Sequence, residues 1–346
     1  MIDLRRTILA AGAAAILCGA APNPTPTPAP SPAATVPPGA GALIASPPVN
    51  VPRKPGFFDY MTVDGDYRRL LVAHASSDQL AIIDVDAGSV IQAVDLGNNT
   101  GGFGVAVDVR DGKYFVGTAA NRVVDINRKN MVLQQYITLP GPVDALAFDP
   151  KNDTLYADED HGSRLWAING KSDKLVATIA LPGVPEYVDY DAVSNRIYQN
   201  IKPAPSMVLA IDPGSNSVAA RWPVAPAENV HGLAIDGASG RVFSVGLNGK
   251  LAVVDVKTGA IIATVDVAGR VDQIAFDPAT KRVYCPSGSG VLTVVQETDS
   301  GASVLDTITI PRGTHTIAVD PKTHDVWISY GAPDGDYVEK LTPTNM

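Results

Sequence analysis

Cysteine is almost missing from this chain: Cys18 and Cys285 are the two in 346 residues. That excludes a disulfide scaffold and every metal or haem motif built on paired cysteines. Long apolar runs are missing too. The one candidate, Ile8 to Leu17, is shorter than the roughly 20 residues a membrane-spanning helix needs, so no transmembrane segment is expected. Basic charge is in deficit, with 27 Lys and Arg against 36 Asp and Glu and a formal net charge of −9. An acidic body repels phosphate backbones and argues against nucleic acid as a partner. No Gly-x-Ser-x-Gly elbow, His-Glu-x-x-His pair or phosphate-binding glycine loop occurs. No segment sustains a 3.6-residue apolar period, so helices are not expected in the body of the chain.

The first twenty residues read as an export signal. Arg5 and Arg6 form a positive start, Ile8 to Leu17 an apolar stretch, and Cys18-Gly19-Ala20 a small-residue cleavage site. The expected location is therefore periplasmic or secreted, by the general or the twin-arginine route. A lipid anchor on Cys18 is the weaker reading, because Leu17 stands where such signals have a small residue. Residues 21–41 alternate proline (Pro22, Pro24, Pro26, Pro28, Pro30, Pro32), which favours an extended linker with no place inside a sheet.

What the rest contains is a repeat. Short apolar strands ending in aspartate recur at Asp64, Asp108, Asp149, Asp191, Asp236, Asp277 and Asp320, at intervals of 44, 41, 42, 45, 41 and 43 residues. Further β-branched and aromatic runs, punctuated by Gly, Pro, Asn and Asp, complete a unit of four short strands. Four antiparallel strands per roughly 40 residues make a propeller blade, and seven copies make an all-β, seven-bladed β-propeller over residues 42–346. The blades span about 57–97, 98–140, 141–182, 183–225, 226–268, 269–311 and 312–346. The last copy stops at Tyr337-Val338-Glu339-Lys340-Leu341 without a fourth strand, so residues 42–51 are expected to pair there and close the ring. Crowding at the axis explains the small residue two places before most repeat aspartates: Ala106, Ala147, Ala234, Ala275 and Ala318, with Thr62 and Asp189 as exceptions. The aspartates themselves fit Asx turns better than catalysis.

The pattern resembles the YVTN-repeat propellers, specifically the YncE-like extracytoplasmic group. The residues carrying it are Asp59-Tyr60-Met61-Thr62-Val63-Asp64, Val230-His231-Gly232-Leu233-Ala234-Ile235-Asp236 and Asp320-Pro321-Lys322-Thr323-His324. The resemblance implies an exported seven-bladed propeller and no catalytic residue.

Five residues before each repeat aspartate stand Asp59, Phe103, Asp144, Glu186, His231, Asp272 and His315. Each begins an innermost strand, so the six polar ones should ring the mouth of the axial channel on one face, here called the top, with His74 and His161 on peripheral loops. Clustered carboxylates raise one another's pKa unless a cation compensates. Oxygen ligands with imidazole suit Ca²⁺, Mn²⁺ or Zn²⁺; solvated caps are the plainer reading. The expectation is a monomeric, non-catalytic envelope protein that binds a small molecule or envelope protein through this face. The alternative is a divalent-metal-dependent, lactonase-like hydrolase or lyase at the channel mouth.

Overall fold

Seven separate sheets form because each four-strand unit is short, twisted and apolar on both faces, and so must be covered by a neighbour on each side. The computed structural model describes residues 43–52, 56–202 and 205–344; the export segment, Cys18 and the proline-rich run lie outside the described residues. The first strands of blades 1 to 7 are Met61–Asp64, Gly102–Asp108, Val143–Asp149, Pro185–Asp191, Val230–Asp236, Ala275–Asp277 and Thr316–Val319. Every blade is antiparallel, with its strands in sequence order in blades 1 to 6 and the N-terminal segment outermost in blade 7. First strands touch their neighbours all the way round, blade 7 against blade 1 included, which closes the ring. The described residues contain no helix beyond one 3₁₀ turn, Ala75–Ser77, and none long and apolar enough to cross a membrane.

The core is divided accordingly. Each of the seven blade interfaces holds its own apolar cluster, as with Tyr156, Leu165, Ile197 and Leu209 between blades 3 and 4. Trp166 and Trp327 are fully buried packing residues, and Trp222 sits 5.9 Å from Tyr198. Cys285 lies within the strand Arg282–Ser287 and is completely buried. Burial pushes its thiol far up, so it is inert.

All seven repeat aspartates accept backbone amides two or three residues ahead, as Asp149 does from Lys151 (2.9 Å) and Asn152 (3.1 Å). These are Asx turns that reverse the chain into the second strand. Several also bind the adjoining blade: Asp64 pairs with Arg128, Asp236 with Lys281, Asp277 with His324, and Asp320 takes both arms of Arg68 at 2.6 and 2.7 Å. Where neighbouring first strands come closest, side chains vanish. A Cβ on Gly104 would lie 2.3 Å from the Asp144 carbonyl oxygen, and one on Gly232 2.8 Å from that of Asp272.

The ring is closed by the N-terminal segment, as expected, but in two pieces. Leu43–Ala45 and Val49–Val51 both pair antiparallel with the last strand, Gly335–Pro343. Pro47 and Pro48 fall in the break between them, where their missing amides and fixed φ cost no ladder bonds.

Candidate functional site

The mouth residues owe their aim to a repeated backbone irregularity. In blades 2 to 5 the first strand slips register against the second at two residues: Phe103-Gly104, Asp144-Ala145, Glu186-Tyr187 and His231-Gly232. A β-bulge re-aims side chains out of the pleat, and here it brings Asp144, Glu186 and His231 of successive blades into one electrostatic neighbourhood. In blades 1, 6 and 7 the equivalent residues, Asp59, Asp272 and His315, precede the regular strand instead.

Glu186, His231 and Asp272 meet directly. His231 Nδ1 lies 2.7 Å from Glu186 Oε1 and 2.9 Å from Asp272 Oδ1. The Lys202 ammonium, at the end of its blade's second strand, pairs with the other Glu186 oxygen. Burial would lower the His231 pKa, but its hydrogen bonds to Asp272 and Glu186 outweigh that and raise it to about 9. For Asp272 the same contacts overcome burial and hold its carboxyl below the usual range.

Asp59 and Asp144 join this field without a cation of their own. Burial, then the neighbouring carboxylates (Asp272, Glu186 and Asp160 for Asp59; Glu186, Asp158 and Asp59 for Asp144), raise both well above the ordinary aspartate value. Asp158 belongs to the same set. It closes on the bulge from behind, accepting the Ala145 amide at 2.6 Å and Gln199 Nε2 at 3.0 Å, and burial again raises its pKa. Asn200 has the matching place in blade 4, donating to the carbonyls of His231 (2.7 Å) and Gly232 (3.0 Å).

The other sequence candidates are placed elsewhere. His74 is not on a peripheral loop: it ends the strand Arg69–His74, is fully buried, stacks on Phe58 at 4.4 Å and bonds Asp336 at 2.7 Å. Its role is to join blade 1 to blade 7. His161 does lie on a loop, 84% exposed, with Asp160 at 3.4 Å. His315 starts the first strand of blade 7 but turns both ring nitrogens to backbone carbonyls, Gly313 at 2.7 Å and Phe58 at 3.0 Å. Asp336, in the last strand, is likewise structural, accepting the Gly56 amide at 2.9 Å and bonding His74 at 2.7 Å.

Sequence reading missed Lys202 and the floor of the mouth. One residue below the mouth, Tyr60 and Tyr187 meet edge to face at 5.3 Å across the channel. Gln273 completes the plug: its Oε1 accepts the amides of Met61 (3.3 Å) and Ile317 (3.2 Å), and its Nε2 donates to the Met61 carbonyl (3.0 Å) and the Tyr187 hydroxyl (3.4 Å). The place four residues before each repeat aspartate, read round the ring as Tyr60, Gly104, Ala145, Tyr187, Gly232, Gln273 and Thr316, was the signal available for it. On the opposite face Asp108, Asp111 and Asp153 gather, but Asp108 is engaged in its Asx turn and Arg110 binds Asp153 at 2.7 Å.

No family model matches the chain, and no curated protein does. Among solved structures it is similar to a chain of the Kuenenia stuttgartiensis hydrazine synthase, with 13% identity and a TM-score of 0.73 over 83% of this chain and 96% of that one. It is also similar to a chain in the crystal structure of a mitotic checkpoint complex, with 14% identity and a TM-score of 0.72 over 99% of this chain and 100% of that one. At these identities the likeness shows the fold alone: the chain is a seven-bladed β-propeller.

Proposed function

We propose that this propeller is a binding protein whose top mouth takes a positively charged ligand. The observation that supports it is the convergence of five carboxylates, Asp59, Asp144, Asp158, Glu186 and Asp272, with Lys202 and His231 as their cations. Three of those acids have raised pKa values, so the mouth is under electrostatic strain that an incoming cation relieves. The Tyr60, Tyr187 and Gln273 plug gives the mouth a floor. Membership of the YVTN-repeat, YncE-like group and export to the cell envelope belong to the same proposal. They are supported by the repeat aspartates and by the Arg5-Arg6 start of the chain. Under export, N-terminal sequencing of the secreted or periplasmic fraction should begin at Ala21, and an uncleaved Met1 there would refute it.

The reading is tested by thermal shift of the full chain against spermidine, arginine, choline, Ca²⁺, Mn²⁺ and Zn²⁺. At least one should raise the melting temperature, and the combined Asp144→Asn, Glu186→Gln and Asp272→Asn variant should lose that shift. A wild-type chain indifferent to every cation, or a variant that responds equally, would remove the mouth as the site.

A second reading has its own observation. One ligand atom each from Glu186, His231 and Asp272 all lie within 4.8 Å of one another, a donor set that fits Zn²⁺ or Mn²⁺. Such an ion would act as a Lewis acid on a bound carbonyl. Lys202 and the His231 proton hold the same atoms, so metal has to displace both, and its affinity should rise with pH up to about 9. Elemental analysis of natively purified protein decides this. Stoichiometric metal supports it, and its absence together with a melting temperature unmoved by chelator excludes it.

A further inference from the structure

The axial channel does not end at the plug. Below Tyr60, Tyr187 and Gln273 it continues as two adjoining cavities of about 240 and 260 Å³ that share Thr62, Tyr187, Asp189 and Gln273. One of them reaches Pro321, which follows the Asx-turn residue Asp320, so this space opens on the bottom face. Either volume is several times the roughly 30 Å³ share of one water, enough for a ligand of a handful of heavy atoms.

Asp189 is the singular residue here. Five blades place alanine at its position and one places Thr62; blade 4 alone places a carboxylate. A carboxylate in a narrow channel without a counter-ion is an unfavourable choice for packing. Asp189 accepts the amide of Tyr190 at 2.7 Å, and no Lys, Arg or His side chain among the described residues pairs with it. Burial, only partly offset by that amide, raises its pKa to about 6. Its surroundings are mixed in a particular way. The alanine methyls of Ala106, Ala147, Ala234 and Ala275 form apolar walls, while the first strands present free inner edges whose carbonyls are neutral acceptors.

We propose that this lower channel is a second ligand site, distinct from the top mouth, and that it takes a small primary alkylammonium ion from the bottom face. The ammonium group would sit against Asp189 and donate its remaining hydrogens to strand-edge carbonyls or the Thr62 hydroxyl, with its short alkyl stem along the alanine walls. A divalent metal does not suit the site, which offers one carboxylate and no imidazole or thiolate. An anion would meet the Asp189 charge. The proposal does not rest on the mouth reading, because Gln273 and the two tyrosines separate the sites.

The probe is n-butylammonium, titrated calorimetrically into the full chain at neutral pH, with butan-1-ol as the neutral control of the same shape. Saturable binding of the ammonium and not the alcohol is expected. With the mouth's competing carboxylates removed by Glu186→Gln and Asp272→Asn, saturable binding should persist, and adding Asp189→Ala or Asp189→Asn to that background should weaken it at least tenfold. Asp189→Ala should fold, since five blades already have alanine there, and its melting temperature should rise once the isolated carboxylate is gone. No saturable binding by the wild type, or equal binding by the Asp189 variants, overturns the proposal. Loss of binding through the mouth variant alone overturns it too, and moves the ammonium to the top site.

Discussion

A chain lacking residues 43–51 should lose about 5 kcal/mol of unfolding free energy, seen as a lower urea midpoint and a melting temperature reduced by roughly 10 °C. The arithmetic starts from Val51, which is 1% exposed and packs with Phe58, Met61, Trp327 and Val338 at the joint of blades 7 and 1. Full burial of such a side chain contributes about 1.5–3 kcal/mol. Val49 and Leu43 add part of the same, and the ladder to Gly335–Pro343 adds hydrogen bonds worth about 1 kcal/mol each. Against a total of some 5–15 kcal/mol for an ordinary fold the loss is severe. It also opens the ring where Asp336 holds both His74 and the Gly56 amide. Two comparisons make the test specific. Val51→Asp should reproduce most of the loss, whereas Ile44→Asp, at a side chain 63% exposed, should change stability by under about 0.5 kcal/mol. A synthetic peptide of residues 43–52 added back should restore the truncated chain. Truncation that leaves the urea midpoint in place would mean that blade 7 closes the ring with three strands.

The fold was legible because one blade repeated seven times lets each copy check the others. The aspartates at 41- to 45-residue spacing are Asx-turn residues in every blade, and the missing fourth strand of the last copy pointed straight to residues 42–51. The mouth was legible only in the first strand. Counting back from each aspartate found Asp144, Glu186, His231 and Asp272, because the repeat keeps register along that strand. It could not find Lys202, which follows the second strand of blade 4 and enters the same space only after the blade is folded. His74 shows the converse error. A histidine next to a turn looks solvent-facing in sequence, yet the blade 7 to blade 1 joint buries it against Phe58. Gln273 was overlooked for a third reason: the repeat marks its place four residues before Asp277, but its four hydrogen bonds run to blades 1, 4 and 7, and no local pattern encodes a partner 212 residues away.

His231→Ala should destabilise the chain at pH 6 by about 3 kcal/mol and by little at pH 10. The folded chain raises this imidazole from an ordinary 6.5 to about 9. Because the folded value is the higher one, the stability it contributes is complete below pH 6.5 and disappears as pH climbs through 9. The 2.5-unit difference, at about 1.4 kcal/mol per unit, sets the magnitude. Removing the ring leaves Asp272 without the cation that holds its carboxyl low, so Asp272 titrates upward in the variant. Urea denaturation of both proteins at pH 6, 8 and 10 supplies the check: the wild-type midpoint should fall across this range relative to the variant's, and the two should converge. Parallel midpoints at all three pH values would mean that His231 is neutral in the folded chain, and that the mouth has one cation fewer than its geometry requires.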